Sequence, residues 1–252
     1  MSTEANPGGL WPEGYARVIL DSVDSTMAEA ARRAPDLHGP TWIMAREQTA
    51  ARGRRGRPWV HPPGNLAATL IYKPDVTAPE AAKRSFMAAN ALYETLAIYI
   101  DRTMLSLKWP NDVLLNGGKV AGILLESAGR GPFVDWLAVG VGVNLAAVPT
   151  GITAAFPPVS LQGEGGEAVT PEDFLTVLAG HYATQEGKLA TFGFARIRED
   201  WLRHAAKLGE VITARTGKDV VKGIFDTVDE DGNLVLITGM GPRAISAADV
   251  FF

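Results

Sequence analysis

A chain of 252 residues, 46% hydrophobic and 21% charged, carries enough apolar material to bury a full core, which excludes intrinsic disorder. Its formal net charge of -4 excludes a global attraction to nucleic acid or to an anionic membrane, so any anion must be met by a local cluster. With no cysteine, disulfides, thiolate metal sites and a cysteine nucleophile are excluded too, in keeping with a reducing, cytoplasmic setting.

The stretch from Met1 to Gly14 is polar and has no basic region leading into an apolar run, so it does not read as a secretory signal. No apolar stretch reaches the roughly 20 residues that span a bilayer, and no membrane partner is expected. Arg17 to Leu20 reads as a strand. Met27 to Ala34 reads as a helix, with Thr26 and Glu29 at capping-box spacing and Pro35 as its stop. Thr41 to Ala45 and Leu66 to Tyr72 read as strands, while Arg52 to Arg57 fits no regular element. Pro79 opens one long helix ending near Ile100. Short strands follow at Leu105 to Lys108, Val113 to Leu115 and Val120 to Glu126, the last two joined as a hairpin through Asn116-Gly117-Gly118. Trp136 to Asn144, apolar on both faces, reads as a central strand. A Pro/Gly-rich loop over Pro157 to Glu172 leads into two helices, about Pro171 to Leu189 and Phe194 to His204. From Glu210 the texture changes to short alternating strands with tight turns, which predicts a small β module, read as a barrel. The boundary falls near Lys207, dividing the chain into 1–206 and 207–252.

Four segments carry chemical signals. In Arg52-Gly53-Arg54-Arg55-Gly56-Arg57, four arginines fall within six residues, interleaved with glycines that let the backbone approach a ligand. Such a loop either wraps a polyanion or lies solvated on the surface. It is not a Walker A loop. In Lys108-Trp109-Pro110-Asn111-Asp112, the lysine suits a phosphate, and Asn111 and Asp112 suit Mg²⁺ or an oriented ligand. An ordinary Asn-Asp turn would look the same. Lys119 opens the apolar run to Leu124, so its ammonium sits at a core edge, either snorkelling or meeting an anion, and Gly122 within that run marks a close approach. Gly140 and Gly142 alternate with valines and end at Asn144, which suits a flat ligand lying on the strand or a tightly packed helix.

In this order, Ser25-Thr26, Gln48 with the Arg-Gly loop, the Lys108 to Asp112 pentad, the Gly118 to Leu124 run and Gly140 to Asn144 resemble the catalytic domain of biotin protein ligases. The resemblance spans roughly residues 15 to 206, and the β module resembles that family's SH3-like C-terminal domain. It implies an α+β fold, a mixed sheet with flanking helices followed by a small barrel. It also implies an enzyme that joins biotin to ATP as biotinyl-adenylate, with Mg²⁺, and transfers biotin to a lysine of a biotin carboxyl carrier domain. By resemblance, Lys119 lies between the biotin carboxylate and the phosphate, and Arg52 and Arg54 hold the linkage beside Gly53. Arg57 and Trp59 close over ATP, with Lys108, Asn111 and Asn144 on the nucleotide side and Asp112 as a metal ligand. Ser25, Thr26 and Gln48 bond the ureido head, and Gly122 and Gly140 leave room for ring and tail. Two departures stand out: Met27 occupies a position commonly Asn, and Ala51 one commonly Gly. Some members carry an N-terminal DNA-binding domain, and about 15 residues before the first strand are too few for one, so no nucleic-acid partner is expected. Three other readings stand beside this one: a lipoate or other acyl ligase of the same fold, a nucleic-acid module using the arginine loop, and a non-enzymatic scaffold. Free strand edges leave a homodimer open.

Overall fold

The computed structural model describes residues 11–149, 156–217 and 219–252, so the reading of the first ten residues lies outside it. The larger part is a seven-stranded mixed sheet. Its strands are β1 (Ala16–Val23), β2 (Thr41–Gln48), β3 (Leu66–Tyr72), β4 (Leu105–Lys108), β5 (Asp112–Leu115), β6 (Gly118–Ala128) and β7 (Trp136–Val143). They lie in the order β1-β2-β3-β7-β6-β5-β4. β1 and β2 run parallel and the other neighbours antiparallel. β7 is the middle strand, as its two-sided apolar character predicts.

Helix α1 (Thr26–Arg33) packs on β2, β3 and β7 from one face, where Met27 and Ala30 meet Ile43, Ile71 and Ala138. Helices α3 (Arg84–Tyr99) and α4 (Pro171–Leu202) cover the other face. Strand alternation makes the two faces unequal. On β7, Val139, Val141 and Val143 enter the core under α3 and α4, while Gly140 and Gly142 lie on the α1 side. On β6, Ala121 and Ile123 join that same core, and Gly122, whose missing Cβ lies beside Trp59, is paired with Gly142. Missing side chains in the middle of one face leave a trough beside α1, and the rest of the sheet keeps a full core beneath it.

Three expectations are corrected. The capping box does not form: Ser25 is the N-cap of α1 without a side-chain bond, and Glu29 pairs with Arg32 and Arg33 instead. The single helix from Pro79 is two, α2 (Ala78–Ala82) and α3, meeting at Lys83. The barrel is an open antiparallel sheet of β8 (Val211–Arg215), β9 (Val220–Val228), β10 (Leu234–Thr238), β11 (Gly241–Ile245) and β12 (Asp249–Phe251), in the order β11-β10-β9-β8-β12. β11 and β12 stay on opposite edges because the inner face of this sheet closes on the larger domain rather than on itself. Ile212, Ala214, Phe225 and Leu236 share one core with Trp201 at the end of α4. The expected break between the last two helices is a left-handed Gly193 (φ 69°) inside α4. Among the described residues, no helix is long and apolar enough to cross a membrane.

Candidate active site

A cavity of about 750 Å³ opens over the glycine trough, and every residue to which the resemblance gives a ligand role lines it. At one end are Ser25 and Thr26, at the start of α1, and Gln48, at the end of β2. These are neutral hydrogen-bonding groups, with Ser25 and Thr26 buried. The Thr26 N–H donates to Gln48 Oε1 at 2.8 Å, and the Thr26 hydroxyl donates to the same oxygen at 3.1 Å. Thr26 is therefore a cavity residue and not a cap.

The other end is strongly cationic. Arg52, Arg54, Arg57, Lys108, Lys119 and Arg215 face two carboxylates, Asp112 and Asp249, a local excess of four positive charges in a chain whose net charge is -4. Asp112 is buried between two ammonium groups, with Lys108 Nζ at 3.0 Å and Lys119 Nζ at 2.5 Å. Burial alone would raise its pKa, but Lys119 and Lys108 outweigh that and hold it below the usual carboxylate value. Asp112 was expected to hold a metal. Both of its oxygens are committed to lysines, and no three His, Cys, Asp or Glu side chains come together among the described residues. In the structure Asp112 is the counter-ion that fixes both lysines beside the cavity.

The arginine loop is a tight turn. Gly53 N–H donates to Arg57 O at 2.7 Å and Trp59 N–H to Ala51 O at 3.0 Å, and the positive φ values fall at Arg55 (57°) and Gly56 (70°). Its arginines divide their work. Arg54 turns inward and donates to Asn111 Oδ1 at 3.1 Å, and burial lowers its pKa. Arg52 lies 3.6 Å from Glu126. Arg55 and Arg57 both reach Asp249 of β12, at 2.6 and 2.9 Å. Burial would raise the Asp249 pKa, but its bond to Arg57 and the charges of Arg57, Arg55 and Arg54 hold it down. The indole of Trp59 lies on the trough floor against Gly142 and Gly122, with Lys119 Nζ 5.3 Å from the ring centre. Asn144 donates to Val159 O at 3.0 Å, and Asn111 to Ile123 O at 2.5 Å, so both amides are anchored at the cavity wall.

Sequence reasoning missed Asp249, Arg215 and Phe156, all of which line the cavity, and it read Gly142 as part of a ligand-facing strand without giving it a site role. Gly142 carried the same strand-glycine signal as Gly140. Asp249 and Arg215 carried none, because their place depends on how the C-terminal sheet docks. Trp109 is buried, and its indole N–H donates to Gly232 O of that sheet at 3.1 Å.

A neutral hydrogen-bonding end joined to a polycationic end by a flat glycine floor defines an enzyme that activates an acidic ligand with a nucleotide. The comparisons agree. Residues 18–144 match the biotin/lipoate A/B protein ligase family, and residues 207–252 match the biotin protein ligase C-terminal domain. A biotin–acetyl-CoA-carboxylase ligase of Paracoccus denitrificans is 54% identical over 93% of this chain and 99% of its own length. The bifunctional ligase/repressor BirA of Bacillus subtilis is 30% identical over 92% of this chain and 71% of its own. A biotin protein ligase from Aquifex aeolicus, solved with biotin and ATP, superposes with a TM-score of 0.76 at 23% identity, covering 93% of this chain and 97% of that one, a likeness of fold. The chain belongs to the biotin/lipoate A/B protein ligase family. The expectations of a ligase, and of a mixed sheet with a C-terminal β module, are borne out by these relatives.

Proposed function

We propose that the chain joins biotin to the α-phosphate of ATP, releasing pyrophosphate, and then passes the biotinyl group to one lysine of a biotin carboxyl carrier domain. The observation that carries this reading is the two-ended cavity. A ureido ring asks for donors and acceptors without charge, and a carboxylate meeting a triphosphate asks for fixed cations. At ~4 Å and an effective dielectric near 20, two such anions repel by roughly 4 kcal/mol per pair of unit charges. Lys119, Arg52 and Arg54 offset that repulsion and stabilise the charge gathering on the phosphate as the carboxylate attacks.

In this reading Ser25, Thr26 and Gln48 take the head group, with Gly53, Gly122 and Gly140 giving it and its tail room. Arg57, Trp59, Lys108, Asn111 and Asn144 serve the nucleotide. Mg²⁺ arrives as part of the MgATP substrate. In the second half-reaction the acceptor amine attacks the carbonyl carbon, the bond to AMP breaks, and the amine loses a proton. We place the domain boundary between residues 206 and 207, and the enzyme in the cytoplasm with the carrier protein it serves.

The test is incubation with biotin, MgATP and an apo carrier domain, with lipoate in parallel, reading mass on the acceptor. One biotinyl group per acceptor is expected, with Lys119→Ala slower by about 100-fold or more. A gain with lipoate alone would move the chain to the lipoate branch. No gain with either, from folded protein, would overturn the reading.

A further inference from the structure

Thr69, fully buried on β3, does not line the cavity, yet its hydroxyl donates to the Thr26 hydroxyl at 2.9 Å. We propose that Thr69 is a positioning residue for biotin, the anchor of a relay, Thr69 to Thr26 to Gln48, that sets which atoms meet the ureido group. This rests on the assignment of the Ser25, Thr26 and Gln48 end to the biotin head.

The polarity of the relay follows from one atom that has no choice. The backbone N–H of Thr26 can only donate, so the Gln48 atom 2.8 Å away is the amide oxygen, not the nitrogen. An amide oxygen can only accept, so the Thr26 hydroxyl, 3.1 Å from it, gives its proton to Gln48. The Thr26 oxygen then has lone pairs and no proton to spare, so the Thr69 hydroxyl must donate to it. Two donors occupy Gln48 Oε1, which leaves the Gln48 amide N–H groups as the part of that side chain able to donate to a ligand. The second lone pair of Thr26 is able to accept. A donor beside an acceptor is the complement of a cyclic urea edge, where C=O adjoins N–H.

Thr69 is what keeps this arrangement single-valued. Without its proton, Thr26 could rotate to donate into the cavity and release Gln48, whose amide could then turn its oxygen toward the ligand carbonyl. Thr69 lies between Ile43 of β2 and Gly140 of β7 in the sheet, so the relay stands on the rigid centre of the fold. A buried hydroxyl on such a strand also satisfies itself by this bond, and the test separates the two roles.

Thr69→Val keeps the shape and removes the proton. We expect KM for biotin to rise five- to tenfold, with kcat and KM for ATP within twofold of wild type, and Thr69→Ser to restore the biotin KM. A folded Thr69→Val enzyme with wild-type biotin KM would overturn the proposal. So would a parallel rise in both KM values with a lowered melting temperature, or a failure of Thr69→Ser to rescue, since either describes a structural bond alone. If Thr69→Val does not fold, Thr69→Ala carries the same expectation. Thr26→Val distinguishes the underlying assignment. If it leaves the biotin KM unchanged, the head group is bound elsewhere and the assignment fails. If it raises that KM while Thr69→Val does not, the assignment stands and only the relay fails.

Discussion

An alanine at Gly142 would set its Cβ 2.6 Å from Cε2 of Trp59, and one at Gly140 would set it 2.6 Å from Sδ of Met27. The clashes are equal on paper and unequal in consequence. Trp59 hangs from a half-exposed loop and can swing away. Met27 is buried with Ala30, Ile43 and Ala138, and although a thioether is adaptable, its cluster is not. Gly142→Ala is expected to cost under ~1 kcal/mol of stability. By displacing the indole it should raise KM for ATP roughly tenfold, about 1.4 kcal/mol of binding. Gly140→Ala should cost ~1–3 kcal/mol of stability as overpacking. Urea unfolding and steady-state kinetics read the two effects separately, and an unchanged ATP KM in Gly142→Ala would remove Trp59 from the nucleotide's part of the site. At this scale the site was legible wherever a residue type is costly without a ligand: glycines inside strands, lysines at a core edge, arginines crowded together. Thr69 was not legible, because a threonine in a strand is what any strand would choose.

The arginine loop shows where legibility stops at the scale of elements. Its charge and glycines suited a ligand loop or a solvated one until the neighbouring segments were read with it, and the strands around it followed from short apolar runs. What anchors it did not follow, since Asp249 lies 192 residues beyond Arg57 and carries no local mark. The same blindness to docking made an open sheet read as a barrel. The loop is held by its bonds to Asp249, a carboxylate standing where the reading places triphosphate oxygens. The pair is partly exposed, so its contribution to global stability is small. Its contribution to local order is larger, because the other cations of the loop repel one another. Asp249→Asn is therefore expected to leave the melting temperature within about 2 °C of wild type while trypsin cleaves after Arg52, Arg54 and Arg55 several-fold faster. Cleavage at the wild-type rate, timed by mass spectrometry, would show that the turn's own hydrogen bonds suffice.

For the whole molecule, the question is whether the C-terminal sheet is a passenger or part of one cooperative unit. Small appended modules commonly melt on their own. Here the junction is a core. The Phe225 ring on β9 lies 6.5 Å from that of Trp201 at the end of α4, and Trp201 lies 5.3 Å from Phe86 on α3. Trp109, in the segment that joins β4 to the buried Asp112, donates to Gly232 across the same seam. The chain is also pinned to the larger sheet just before it enters that seam, with Leu107 N–H donating to His204 O at 2.7 Å and Ala206 N–H to Leu107 O at 2.8 Å. A side chain at the centre of this seam should therefore report on both parts at once. Phe225→Ala is expected to cost ~3–5 kcal/mol, the range for emptying an aromatic site in a packed core. The loss should appear as a downward shift of one calorimetric transition containing the enthalpy of the whole chain, with the ATP and biotin sites lost together. Two transitions, the smaller one alone shifted by the substitution, would instead make the module independently stable, and Asp249 would then reach the arginine loop across a joint free to open.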